Sequence, residues 1–185
     1  MEIRDLGLGG VVEIVPKKFG DARGFFSETW SRERFAAAGL NHDWVQDNQS
    51  FSAEKNILRG LHFQTAPFAQ DKLIRVLRGS IFEVAADIRE GSPTYGRWVS
   101  CVLSAEKWNQ LLIPKGFAHG FLTLEPSTEV FYKVSASYAP DCDRAIAWND
   151  PALNIAWPLG GGEAILSAKD RNAPLLAEIA ANIHF

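Results

Sequence analysis

Between Ile57 and Ile88 the chain sets Arg59, His62, Gln64, Lys72 and Arg75 among apolar residues. An imidazole, an amide and three cations within seventeen positions suit an anionic, oxygen-rich ligand. Strand alternation turns His62 and Gln64 to one face of Leu61-His62-Phe63-Gln64 and Arg59 to the other. Lys72 opens the next strand-like run, within reach of the same cavity. A lone histidine in such a run is ordinarily a hydrogen-bonded core residue. The polar company of His62 makes it a candidate base, because an imidazole titrates near about 6.5. Arg59 is costly to bury without a partner, and a phosphate or diphosphate is a natural one.

Later residues could complete the chemistry. Tyr132 lies in Val130-Phe131-Tyr132-Lys133. It reads either as a barrel tyrosine with a bonded hydroxyl or as a general acid, since a phenol titrating near about 10 is protonated at neutral pH. Asp170 follows Leu166-Ser167-Ala168-Lys169. It is a solvated loop carboxylate unless the loop folds over a barrel mouth, where it would orient His62 and steady its imidazolium. Arg23, Glu28, Gln46, Asn48 and Arg59 form a polar set in the first third of the chain.

These residues need strands to hold them. Strand-like runs span Val11–Val15, 25–30, 44–51, 57–63, 72–77, 81–88, 98–103, 110–113, 119–124 and 129–138, with turn residues between them. Arg78-Gly79-Ser80 reads as a hairpin turn joining two of these runs. In the second run Phe82, Val84, Ala86 and Ile88 share one face, Glu83 and Asp87 the other. Ser31 caps a short helix over 32–38 that Gly39 ends, and a terminal helix is expected from about 173 to 183. Many short strands with helices near the ends predict an all-β antiparallel sandwich or barrel. Gly160-Gly161-Gly162 lacks the strand-to-helix context of a dinucleotide fingerprint and reads as a flexible loop.

The 185 residues suit a single domain over 1–185. A net charge of -3 does not advertise nucleic-acid binding. No apolar run approaches the ~18 residues of a membrane span, and the first residues lack the apolar segment of a signal peptide. Cys101 and Cys142 lack metal spacing and read as reduced thiols of a cytoplasmic protein.

Pro114-Lys115-Gly116-Phe117-Ala118-His119 resembles the second cupin motif, P-x-G-x-x-H. The first cupin motif normally carries H-x-H and a downstream Glu as metal ligands, but here it reads His62-Phe63-Gln64 followed by Lys72. A neutral amide and an added ammonium weaken a divalent site. The resemblance therefore implies a cupin jelly roll, with short peripheral helices, working by side-chain acid–base chemistry without cofactor or metal. A metal site of His62, His119 and Glu83 is the remaining alternative.

Taken together, Gly20-Asp21-Ala22-Arg23-Gly24-Phe25-Phe26-Ser27-Glu28, Val45-Gln46-Asp47-Asn48-Gln49-Ser50, Leu58-Arg59-Gly60-Leu61-His62-Phe63-Gln64, Gly116-Phe117-Ala118-His119-Gly120-Phe121 and Leu166-Ser167-Ala168-Lys169-Asp170 resemble the dTDP-4-dehydrorhamnose 3,5-epimerase family across nearly the whole chain. That resemblance implies a cytoplasmic homodimer with exchanged N-terminal strands, acting on dTDP-4-dehydro-6-deoxy-D-glucose. It implies His62 as base, Tyr132 as acid, Asp170 as partner of His62 and Lys72 beside the C4 oxygen. Arg23, Glu28, Gln46, Asn48, Arg59, Gln64, His119, Asp143 and Lys169 are then substrate contacts, the early ones supplied in part by the other subunit. Asp143 stands where Glu is usual, Ala145 where Gly is frequent and Glu83 where Asp is typical. Single-site epimerases, a 3,4-ketoisomerase and a non-catalytic sugar-binding cupin stay open as alternatives.

Overall fold

The computed structural model describes residues 1–185, apart from the side chain of Asn182. Two antiparallel sheets face each other. The first, six-stranded, runs β1 (Glu2–Asp5), β2 (Val12–Val15), β10 (Gln110–Ile113), β7 (Lys72–Arg78), β12 (Thr128–Val134) and β5 (Gln46–Ser52). The second, five-stranded, runs β13 (Asp143–Ala145), β6 (Leu58–Gln64), β11 (Phe117–Thr123), β8 (Ser80–Asp87) and β9 (Trp98–Ser104). A hairpin of β3 (Phe19–Asp21) and β4 (Gly24–Phe26) stands apart, exposed along its length. The helices are short: α1 (Arg32–Ala37), α2 (Ala168–Arg171) and α3 (Leu176–Ile179). This is the cupin-type jelly roll expected.

Alternation along the strands builds three apolar layers. Between the sheets, Ile74 and Val76 of β7 and Val130 of β12 meet Ile81 and Ala85 of β8, Leu103 of β9 and Phe117 and Phe121 of β11. Each fully buried Leu or Ile there contributes about 1.5–3 kcal/mol. Outside the second sheet, Leu61, Phe63, Val84 and Ala86 pack under Ile146, Leu153, Leu176 and Ile183. Outside the first, Phe35 of α1 covers Ile14, Leu73 and Leu112. Ser31 caps α1, accepting from the Arg34 amide at 3.5 Å, and Gly39 follows at φ +79°.

Three expectations change. The runs flanking Gly79 are not a hairpin, because β7 and β8 belong to different sheets. Gly79 is the corner between them, with φ +76° and space so tight that a Cβ would meet Thr128 Oγ1 at 2.4 Å. Glu83 and Asp87 share one face of β8, as expected, and it is the inner one. Both are fully buried, since β8 is covered on both faces. The terminal helix begins at Leu176 and gives way to a 3-10 turn at Ala180–Asn182. Pro174 lies ahead of it, its carbonyl accepting from the Ala147 amide at 2.8 Å. The strand read over 129–138 stops at Val134, which leaves Tyr138 on a loop.

Candidate active site

At one end of the sandwich, inward residues of β5, β6, β7, β11 and β12 enclose two adjoining lobes of about 400 and about 240 Å³. His62, His119 and Tyr132 border both. Gln46, Asn48, Gln64, Lys72, Asp143 and Lys169 line the larger lobe. Arg59 and Asp170 line the smaller.

Alternation alone would send Arg59 away from His62. The register prevents this. His119 pairs with His62 and Phe121 with Arg59, so Gly120 alone faces both Gly60 and Leu61. This β-bulge adds one residue to β6 and brings Arg59 round to the face of His62. Two glycines allow the close approach: a Cβ on Gly60 would lie 2.6 Å from the Gly120 Cα, and Gly60 has φ +129°. The Arg59 guanidinium is held by Ser52 Oγ at 3.3 Å and the Phe51 carbonyl at 3.0 Å.

The loop expected to carry Asp170 is a capped helical turn. Ser167 Oγ accepts from the Asp170 amide at 3.1 Å and donates to Oδ2 at 2.8 Å. The other oxygen, Oδ1, sits 2.6 Å from Nε2 of His62, and Asp170 is only 4% exposed. Burial works against ionisation of Asp170, but hydrogen bonds from His62, Ser167 and the Gly60 amide hold it below the usual carboxylate range. An ionised Asp170 accepts the Nε2 proton, so Nδ1 of His62 carries the lone pair of a base.

Lys72 is buried and donates to Gln70 Oε1 at 3.3 Å, with its ammonium 5.8 Å from the centre of the Tyr132 ring. Burial pulls it down to about 8, while Glu83 and Asp143 pull the other way, so it stays charged at neutral pH. Burial raises the Tyr132 phenol, with Arg59 opposing, which keeps its proton in place. His119 Nδ1 lies 2.8 Å from Oε1 of the fully buried Glu83. Burial, reinforced by Lys72 and His62, keeps His119 neutral, and burial raises the Glu83 carboxyl well above its ordinary value despite Lys72.

The remaining expected residues divide. Gln46 donates to Asn48 Oδ1 at 2.8 Å on the cavity wall. Gln64 lines the cavity, but its amide is engaged by the Phe68 and Ser137 carbonyls at 2.7 and 3.2 Å and the Ala139 amide at 2.9 Å. Asp143 bridges the mouth between the Lys169 ammonium and the Tyr138 hydroxyl. Arg23 and Glu28 border neither lobe. Arg23 pairs with Asp21 at 2.5 Å on the exposed hairpin, and Glu28 pairs with Arg34 at 3.0 Å. Arg75 lies on the outer face of β7, over Phe131 and Trp108. Among the described residues, no three His, Cys, Asp or Glu side chains converge as metal ligands, and Cys101 and Cys142 are free thiols. Among them, too, no helix is long and apolar enough to cross a membrane.

Sequence reasoning gave no role to Tyr138 or Ser167 and saw Glu83 as a departure from the family and as a ligand of the alternative metal site, not as a partner of His119. An acid on the inner period of an apolar strand was the available signal for Glu83. For Ser167 it was a cap residue three positions before a carboxylate.

The profile of the dTDP-4-dehydrorhamnose 3,5-epimerase family matches residues 5–178. A dTDP-4-dehydrorhamnose 3,5-epimerase of Sinorhizobium fredii is 48% identical over 189 residues, covering 100% of this chain and 94% of its own. One of Salmonella typhimurium is 50% identical over 167 residues, 90% of each chain. The crystal structure of a dTDP-6-deoxy-D-glucose-3,5-epimerase from Legionella pneumophila, in complex with dTDP-4-keto-L-rhamnose, has a TM-score of 0.93 at 43% identity, covering 100% of this chain and 98% of that one. With sequence and fold alike along their full length, this chain belongs to the dTDP-4-dehydrorhamnose 3,5-epimerase family.

Proposed function

We propose that the protein epimerises dTDP-4-dehydro-6-deoxy-D-glucose at C3 and C5 to dTDP-4-dehydro-L-rhamnose. One observation carries the reading: the His62–Asp170 pair shares a cavity with a buried ammonium and a protonated phenol. Nδ1 of His62 removes the proton alpha to the C4 ketone, and the electrons of the broken C–H bond move into the C4 oxygen. The Lys72 ammonium steadies that enolate, and a fixed cation is worth most where water is excluded. Tyr132 returns a proton to carbon from the other side. Asp170 holds the tautomer of His62 and offsets the imidazolium that forms. Arg59 anchors the diphosphate, so binding far from the reacting carbon positions it.

We propose a homodimer as well, and the exposed N-terminal hairpin supports it. Arg23 sits on an exposed hairpin with Phe25 at 52% and Phe26 at 70% exposure, away from its own cavity. A partner's hairpin would bury those rings and bring Arg23 and Glu28 to the neighbouring site.

The test is proton NMR of dTDP-4-dehydro-6-deoxy-D-glucose with enzyme in D2O. Deuterium at both C3 and C5 is expected. Exchange at one carbon only would make the protein a single-site epimerase, and tight binding without exchange would make it a sugar-binding cupin.

A further inference from the structure

Two histidines face each other across β6 and β11, and each leans on a carboxyl group. The two carboxyl groups differ. Asp170 has both oxygens satisfied, by His62 and by Ser167. Glu83 has one oxygen on Nδ1 of His119, while Oε2 is buried without any partner. An anionic oxygen left bare in a core costs far more than the oxygen of a neutral acid. No Lys or Arg nitrogen comes within 4.0 Å of Glu83 to compensate such a charge; the Lys72 ammonium is turned to Gln70.

We propose that Glu83 is a positioning residue that keeps its own proton, donates it to Nδ1 of His119, and thereby sets His119 as an Nε2–H donor into the cavity. His119 Nε2 has no protein partner and is not among the buried orphan atoms, and the ring borders both lobes, so this nitrogen opens to ligand. The two facing histidines are then the same Nε2–H tautomer turned opposite ways: His62 presents the lone pair of Nδ1 to the cavity and His119 the hydrogen of Nε2. One accepts a proton from carbon, and the other donates a hydrogen bond to a carbonyl or enolate oxygen beside Lys72. A neutral Glu83 also withdraws an anion that would help Lys72 keep its proton, so the Lys72 charge then rests on Asp143 and on the oxygens of the substrate. The raised Glu83 carboxyl and lowered His119 agree with this geometry. The register allows the pairing. Glu83 lies opposite Phe121 and His119 opposite Ala85, so the two are diagonal neighbours within reach of long side chains.

What the His119 donor is for rests on the proposed epimerase reading, but the tautomer itself can be read in the resting protein. The chain has 4 histidines, so 15N-imidazole NMR resolves them, with His119→Asn and His62→Asn assigning the two in the cavity. At neutral pH, Nε2 is expected to be protonated and Nδ1 bare in both His119 and His62, the bare nitrogen facing Glu83 in the first and the cavity in the second. Infrared difference spectra between the native protein and Glu83→Gln should show a carboxylic acid band that the variant lacks. In Glu83→Leu, Nδ1 loses its donor, so the tautomers of His119 should mix and kcat fall on the order of 10²-fold with KM little changed. A proton on Nδ1 of His119 in the native protein, or the absence of the acid band, overturns the assignment. If the tautomer is found while no deuterium enters the sugar, the assignment stands and the epimerase reading falls.

Discussion

Proton transfer at carbon demands groups held in the right state before substrate arrives, and here burial and partners set those states side chain by side chain. His62→Ala is expected to abolish turnover. Tyr132→Phe should lose on the order of 10²–10⁴-fold at the step that needs the acid, read as the rate of deuterium entry at each carbon. Full activity of Tyr132→Phe at both carbons would remove Tyr132 as the acid. Asp170→Asn should leave the fold intact by circular dichroism and impair turnover. Lys72 carries a cost in stability. Its folded value, about 8, lies below the 10.5 of a free lysine, so between these values the unfolded chain binds more protons and stability rises with pH. Below about 8 the penalty is fully present. Lys72→Met should therefore be inactive yet more stable at pH 7 by about 3 kcal/mol, with the rise in stability between pH 8 and 10.5 removed, as read by urea titration. Native turnover should decline as pH rises through about 8, where the ammonium is lost.

Strand geometry decides which of these side chains meet. Period-2 alternation brings Gln46 and Asn48 of β5, Lys72 of β7, His119 of β11 and Tyr132 of β12 to one cavity. That part was legible, because an inward strand face needs only its period. Arg59 was named as a diphosphate contact, but its face was not legible, because the extra residue at Gly60 changes the phase within β6. Gly60→Ala tests the bulge. Its Cβ would press on the Gly120 Cα at 2.6 Å, and φ +129° is a conformation that side chains resist. A loss of about 2–4 kcal/mol is expected from overpacking and backbone strain together, with turnover falling as Arg59 and His62 lose their common face. A variant of native stability with full turnover would mean that β6 accommodates the side chain without the bulge. The Gly79 corner was misread for a related reason. A glycine of positive φ between two strand runs serves a hairpin and a change of sheet equally well, and only the tight approach of Thr128 distinguishes them.

The whole molecule adds the question of a second copy. In its own chain the hairpin is held through Phe25, edge-on to Trp108 at 4.8 Å, while Arg23 and Phe26 stay exposed. If the hairpin completes a neighbouring site, Arg23→Ala and His62→Ala should each be nearly inactive alone. Refolded together, they should regain activity, because one site of the mixed dimer then holds both native residues. Absence of recovery, with a dimer present by light scattering, would place Arg23 at its own chain's site or outside both.

The roles proposed for His62, Lys72 and Tyr132 came with the family resemblance, but the all-β class and the inward positions of most strands were written in residue types and their spacing. These follow from local rules: side chains alternate, glycines and prolines punctuate, and polar groups in apolar runs need a reason. Tertiary structure alone decided that Arg59 joins His62, that Asp170 comes 108 positions along the chain to within 2.6 Å of it, and that Glu83 is buried. Each depends on register between strands or on a distant segment closing over a sheet. Such contacts are set by the packing of the whole chain, which no short window of sequence contains.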